Sequence, residues 1–254
     1  WGFLVYAVYG IIAKLAGWPT ANGLVVGLCA LIAVVVIAVS VLDKGKSPAG
    51  ILLSDFRRVL AAHAFTWICV QTMFVYMFAY VQDKMPQLSD VDMGRVVSVS
   101  FLILNLVAAI LPALVLEPLT RSIGRVRTHI ICIASMALGY AAIWWFGKSP
   151  LAIYVLMGLL GIGWAATVSL PFAIMSQKVD QRRMGLYMGL FNLSVVLPQL
   201  VASLGIGEAV STVADKNLIF MICAAVLAIS AFLWLFVKEP ETAEAAVPGG
   251  GGGH

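Results

Sequence analysis

The sequence predicts an all-α membrane protein, a bundle of about eight apolar helices, on three observations. Hydrophobic residues make up 62% of the chain and charged residues 11%, with a mean hydropathy of +1.01, so there is too little polar surface to cover a water-soluble globule. The apolar residues fall in runs of about 20, the length that crosses a hydrocarbon core. Those runs lack the alternation of barrel strands, and an open sheet edge finds no hydrogen-bond partner in lipid, which leaves helices. With 254 residues so divided, no room remains for a soluble catalytic domain.

Taken in order, the runs fall at about 1–17, 22–42, 57–82, 94–117, 127–146, 151–175, 185–207 and 217–237, each bounded by charge or by Gly/Pro punctuation. The first is short and opens at Trp1 without an initiator Met or a basic n-region, so it is not read as a signal peptide and the chain is expected to be a piece of a longer one. The longest internal polar link, 43–56, is expected to be a loop, and six full-length runs follow it over 57–237. Residues 238–254, acidic and Ala-rich and then Gly-rich, are expected to be a disordered tail.

Charge is segregated along this plan. Lys44, Lys46, Arg57, Arg58, Arg121, Arg125, Arg127, Lys178, Arg182, Arg183 and Lys238 fall on one set of alternate links, and only Lys84, Arg95, Lys148 and Lys216 on the other. The richer side is expected to be cytoplasmic, with the 43–56 link and the C-terminus on it. The net charge of +4 follows from these anchors, and no nucleic-acid partner is inferred from it. Between Arg58 and Val237 no Asp, Glu, Lys or Arg lies mid-helix. That silence counts against a retinal protein and an intramembrane enzyme, and it puts any ion-coupling carboxylate outside this chain. The four cysteines stand singly in apolar runs and read as core residues, with no metal site or cofactor expected.

The helices carry neutral hydrogen-bonding groups instead, a chemistry that suits an uncharged polyhydroxylated ligand. His63, Thr66, Trp67 and Gln71 lie at offsets 0, 3, 4 and 8 and share one helical face. Gln71 offers a donor and an acceptor, and Trp67 an apolar ring face. A second stripe runs Gly185, Gly189, Asn192, Val196, Gln199 and Ser203, where Pro198 is expected to bend the helix. In 151–175, three glycines (Gly158, Gly161, Gly163) precede Trp164, Thr167, Ser169 and Pro171, a pattern for tight packing and a kink. Thr66, Trp67, Gln71, Trp164, Asn192 and Gln199 are the candidate substrate contacts, and bonds to neighbouring helices are the competing use of the same groups. Asn105 is a lone polar residue in 94–117.

The link Pro118 to Arg127 reads by itself as a basic anchor with a glycine turn. It resembles the major facilitator signature between helices eight and nine, with Arg121, Gly124, Arg125 and Arg127 matching. Thr120 stands where that signature has Asp, which weakens the expected charge latch and leaves Glu117 as the nearby acid to replace it. Ser169–Ile174, Arg183–Ser194 and Val196–Gln199 look like the tenth and eleventh helices of the sucrose-transporter group and its relatives, the glycoside-pentoside-hexuronide:cation symporters. Phe65-Thr66-Trp67 is similar to that group's seventh helix. The facilitator likeness spans nearly the whole chain and its sugar-specific part about 40 residues.

The resemblance implies the C-terminal portion of a twelve-helix sugar transporter. Residues 1–42 would be the last helices of the N-terminal half, cut at the start, 43–56 the central cytoplasmic loop and 57–237 the C-terminal six-helix half. It implies alternating access with proton-coupled uptake of a disaccharide glucoside such as sucrose or maltose in a bacterial inner membrane. The partners would be the sugar, a proton, the lipid bilayer and the N-terminal half. The rivals are an exporter of drugs or metabolites on the same fold and a membrane scaffold or receptor-like protein without transport.

Overall fold

Serine and asparagine at the starts of apolar runs set the helices of the computed structural model, which describes residues 2–20, 22–206 and 218–239. They are α1 (Gly2–Ala16), α2 (Gly23–Leu42), α3 (Pro48–Lys84), α4 (Asp90–Leu111), α5 (Glu117–Ile123), α6 (Arg125–Phe146), α7 (Pro150–Ser176), α8 (Met184–Val201) and α9 (Leu218–Trp234). No strand occurs among the described residues. Asn22, Ser47, Ser89 and Ser149 each accept a backbone N–H of the first turn of α2, α3, α4 and α7. Pro48 and Pro150 follow their serines at the first helical position, where a missing N–H leaves nothing unsatisfied.

Six of the described helical segments are long and apolar enough to cross a bilayer. Leu102, Leu138, Leu151 and Val155 lie 65–72% exposed on their outer faces, as lipid-facing residues do. The chain is an integral, multi-pass membrane protein.

Two boundaries differ from the sequence expectation. The link expected over 43–56 shrinks to 43–47, because Ser47-Pro48 opens α3 nine residues early. At 37 residues that helix is about 55 Å long, so its first turns stand clear of a ~30 Å hydrocarbon core. The loop expected over 118–127 is mostly helix. Pro112 lacks the N–H that would continue α4 regularly, and the chain passes through one wide turn, with Glu117 N–H donating to Pro112 O, into α5. The break comes at Gly124 alone, at φ 91°.

α6 is packed between α7 and α9, α9 lies on α3, α4 on α7, and α8 on α3. A Cβ at Gly163 would overlap Met136 on α6, and one at Gly161 would lie 2.6 Å from Val107 Cβ on α4, so these two positions let α7 sit between both neighbours. α1 packs on α2 and α8.

Candidate substrate face and a clamp at the basic end

On α3, His63, Trp67, Gln71 and Phe74 recur within a narrow arc. The Trp67 ring lies edge-on to Trp164 of α7, centroids 5.7 Å apart at 82°. Phe74 meets Trp164 at 5.5 Å and Phe101 of α4 at 5.0 Å. Three helices thereby contribute to one aromatic corner whose two tryptophans are half-buried. Gln71 stands one turn from Trp67 on the same face, half-buried, and its amide has no hydrogen-bond partner among the described residues. A free amide beside half-buried rings can bond hydroxyls while the rings cover C–H surface.

The other candidates divide. Thr66 is fully buried, and its hydroxyl shares a 2.8 Å hydrogen bond with Ser230 of α9, so it is turned away from Trp67 into a dry helix–helix contact. That placement weighs against the expected substrate contact: one residue is 100° of turn, enough to move it to the neighbouring face. Asn192 is exposed and Gln199 half-buried on one stripe of α8, neither with a hydrogen bond among the described residues. Among the described residues no hydrogen bond or ring contact joins that stripe to the tryptophan pair. Phe191, one residue from Asn192, does reach α3, stacking on His63 at 4.9 Å. Pro198 is buried within α8 and the backbone widens over Ala202–Ile206; Pro171 is buried within α7, where Thr167 and Ser169 hydroxyls turn back to the Gly163 and Ala165 carbonyls.

Two residues that the sequence reading named without counting them as substrate contacts also take part. Asn105 accepts the indole N–H of Trp164 at 3.2 Å, and His63 Nε2 accepts that of Trp67 at 2.8 Å. A lone polar residue in an apolar helix was the available signal, but its partner lay 59 residues away. A separate cavity of about 450 Å³ lies between α1, α2, α3 and α8, walled by Phe3, Leu60, Phe65 and Leu193 among others, and none of the candidate substrate residues lines it. Among the described residues no group of His, Cys, Asp and Glu is arranged to hold a metal ion.

At the basic end a second arrangement ties the helices together. Arg58 uses five N–H groups: Nε to Ser40 O (3.2 Å), Nη1 to Asp55 Oδ1 (3.1 Å) and Phe236 O (3.5 Å), and Nη2 to Val41 O (3.1 Å) and Asp43 O (2.8 Å). It caps the last carbonyls of α2 and reaches the chain just past α9. Lys178, just past α7, bonds the other oxygen of Asp55 at 3.4 Å. Burial pulls the Lys178 ammonium below its ordinary range, and Asp55 offsets only part of that.

The basic link contributes here too. Glu117 bonds Arg121 within α5 at 2.6 Å and so is committed to its own helix. The acid that reaches the start of α6 is Glu239, whose carboxylate accepts the backbone N–H groups of Arg125 and Val126. Of the disordered tail expected over 238–254, Glu239 is docked through these bonds, Lys238 beside it is exposed, and 240–254 lie outside the described residues. Gly124 permits the contact, since a Cβ there would lie 2.6 Å from Glu239 Cδ. Arg125 and Arg127 flank that contact, half-buried and exposed.

Sucrose transport protein SUT3 of Oryza sativa is 26% identical over 178 residues, covering 59% of this chain and 35% of that protein. Sucrose transport protein SUT1 of Oryza sativa subsp. japonica is 30% identical over 143 residues, covering 48% and 27%. The chain thus spans about a third of the length of these curated relatives. The family model of the Major Facilitator Superfamily matches residues 2–203, from α1 to just past the end of α8. That match takes in most of the 254 residues, and the chain belongs to the Major Facilitator Superfamily.

Proposed function

We propose that this chain is the C-terminal portion of a secondary transporter that moves a sugar by alternating access, importing a disaccharide glucoside such as sucrose or maltose with a proton. Residues 1–42 would close the N-terminal half, and the basic end would face the cytoplasm. One observation carries the reading: Trp67, Trp164 and Gln71 stand together, half-buried, in helices that hold no charge at mid-membrane. Neutral donors and ring faces match a neutral sugar. Relatives named as sucrose transport proteins favour the same substrate class. The coupling carboxylate is assigned to the N-terminal half, because a proton site needs a titrating group at membrane depth.

Uptake of radiolabelled sucrose and maltose by the full-length transporter in proteoliposomes tests this. Gln71→Ala and Trp164→Leu are expected to raise KM about five- to tenfold, the worth of roughly one net hydrogen bond or ring contact each, and Asn192→Ala less. Uptake should rise with an inward proton gradient and fall with a protonophore. KM unchanged in both Gln71→Ala and Trp164→Leu removes this face from the site, and gradient-independent uptake removes the coupling.

A further inference from the structure

We propose that His63 and Asn105 are positioning residues that lock Trp67 and Trp164 into a rigid two-ring corner for the apolar face of a pyranose, leaving Gln71 as the free polar group beside it; this rests on that face being the sugar site. An indole N–H donates only, so the 2.8 Å bond from Trp67 makes His63 Nε2 an acceptor and places the imidazole proton on Nδ1. The imidazole is itself held: it is 2% exposed and stacks on Phe191 with ring planes 11° apart. Asn105 is likewise fixed. Its amide nitrogen donates to Phe101 O at 2.8 Å, which turns Oδ1 toward Trp164 Nε1 at 3.2 Å.

Both indole N–H groups are consumed in these tethers, so what the rings offer a ligand is π surface alone. Their planes stand 82° apart, one able to cover a ring face and the other its edge. A pyranose carries C–H bonds on its faces and hydroxyls at its rim, and the unbonded Gln71 amide, one turn along α3 from Trp67, is placed for the rim. Rings fixed before the ligand arrives lose little freedom on binding, and that is the advantage of the tethers. Removing a tether frees a ring to rotate without removing it.

The test uses sucrose and maltose uptake by the full-length transporter, with near-ultraviolet circular dichroism of the purified protein as a second readout. His63→Leu and Asn105→Leu are expected to raise KM about five- to tenfold, with maximal rate within about twofold, and to weaken the tryptophan bands. His63→Gln and Asn105→Gln keep a neutral amide acceptor and should restore KM to within about threefold of wild type. If Trp67→Leu and Trp164→Leu raise KM while both tether variants leave it within about twofold, the positioning role is overturned and the sugar site stands. If none of the four moves KM, or the wild type carries neither sugar, the site reading falls and the proposal with it. Should His63→Leu not accumulate, Asn105→Leu, on an exposed position, decides the matter by the same readouts.

Discussion

Replacing Arg58 by alanine tests whether the basic end is a structural clamp. The guanidinium is nearly buried, its side chain 9% exposed, and it holds four backbone carbonyls and one carboxylate oxygen. Breaking a buried ion pair from one side costs about 3–5 kcal/mol, and a hydrogen bond to a charged group about 1.5–3 kcal/mol. These do not sum, because Lys178 still neutralises Asp55 at 3.4 Å and the carbonyls at this end can relax toward water. A loss of about 3 kcal/mol is therefore expected. For a chain of this size each kcal/mol moves the melting temperature by about 2–4 °C, so detergent-solubilised Arg58→Ala should melt about 6–12 °C lower by intrinsic fluorescence. Arg58→Lys keeps the charge but brings three donors on a flexible stem to a site built for a planar fork, and should recover less than half of the loss. A melting point within about 2 °C of wild type for Arg58→Ala, or full recovery by Lys, would refute the clamp.

Two further substitutions separate structure from binding. Glu239→Ala uncaps the start of α6, which should cost about 1 kcal/mol and speed hydrogen exchange at Arg125–Thr128; unchanged exchange there would show that the carboxylate does not hold these amides. Thr66→Val deletes one side of the Thr66–Ser230 bond while Ser230 keeps its bond to Ala62 O at 2.7 Å. Sugar KM should stay within about twofold and stability fall by about 1 kcal/mol or less, and a large KM effect would return Thr66 to the substrate face.

The membrane class was legible because it rests on composition, which no tertiary contact can reverse. Helix boundaries were less so. Hydropathy reports where lipid is, whereas α3 starts at a Ser-Pro cap in residues too polar to register, and helix continues beyond the expected end at 117 as α5, after a wide turn that absorbs the N–H missing at Pro112. Periodicity did group Trp67 with Gln71, since both lie on one arc of one helix. It placed Thr66 there too, because a helical wheel does not say which neighbour occupies which flank, and α9 takes that one. Asn105 needed knowledge of what sat opposite it, whereas the His63 bond to Trp67 lies within α3, one turn away on the face periodicity had grouped. Glu239 was hidden by its neighbours' composition, although a single carboxylate next to an apolar helix end is what an uncapped α6 requires.

The division of charge carries a mechanistic consequence on the proposed reading. A charge at the bilayer centre costs about 2.5–3.5 kcal/mol even by the lowest scale, and this chain places its described ion pairs at helix ends or, for Asp55 and Arg58, within the first three turns of the long α3, none of them mid-helix. What faces the substrate is then indole and amide, each contact worth roughly 1 kcal/mol. Such contacts are strong enough in combination to select a ring with hydroxyls at its rim, and weak enough singly to release it when the opposite half rocks away. Proton coupling, by contrast, needs one titrating group whose charge changes with the state of the carrier. Selectivity for the sugar and coupling to the ion are therefore carried by different halves of the transporter. Substitutions on α3, α4 and α7 should change which sugar is carried and at what KM while leaving the number of protons moved per sugar unaltered.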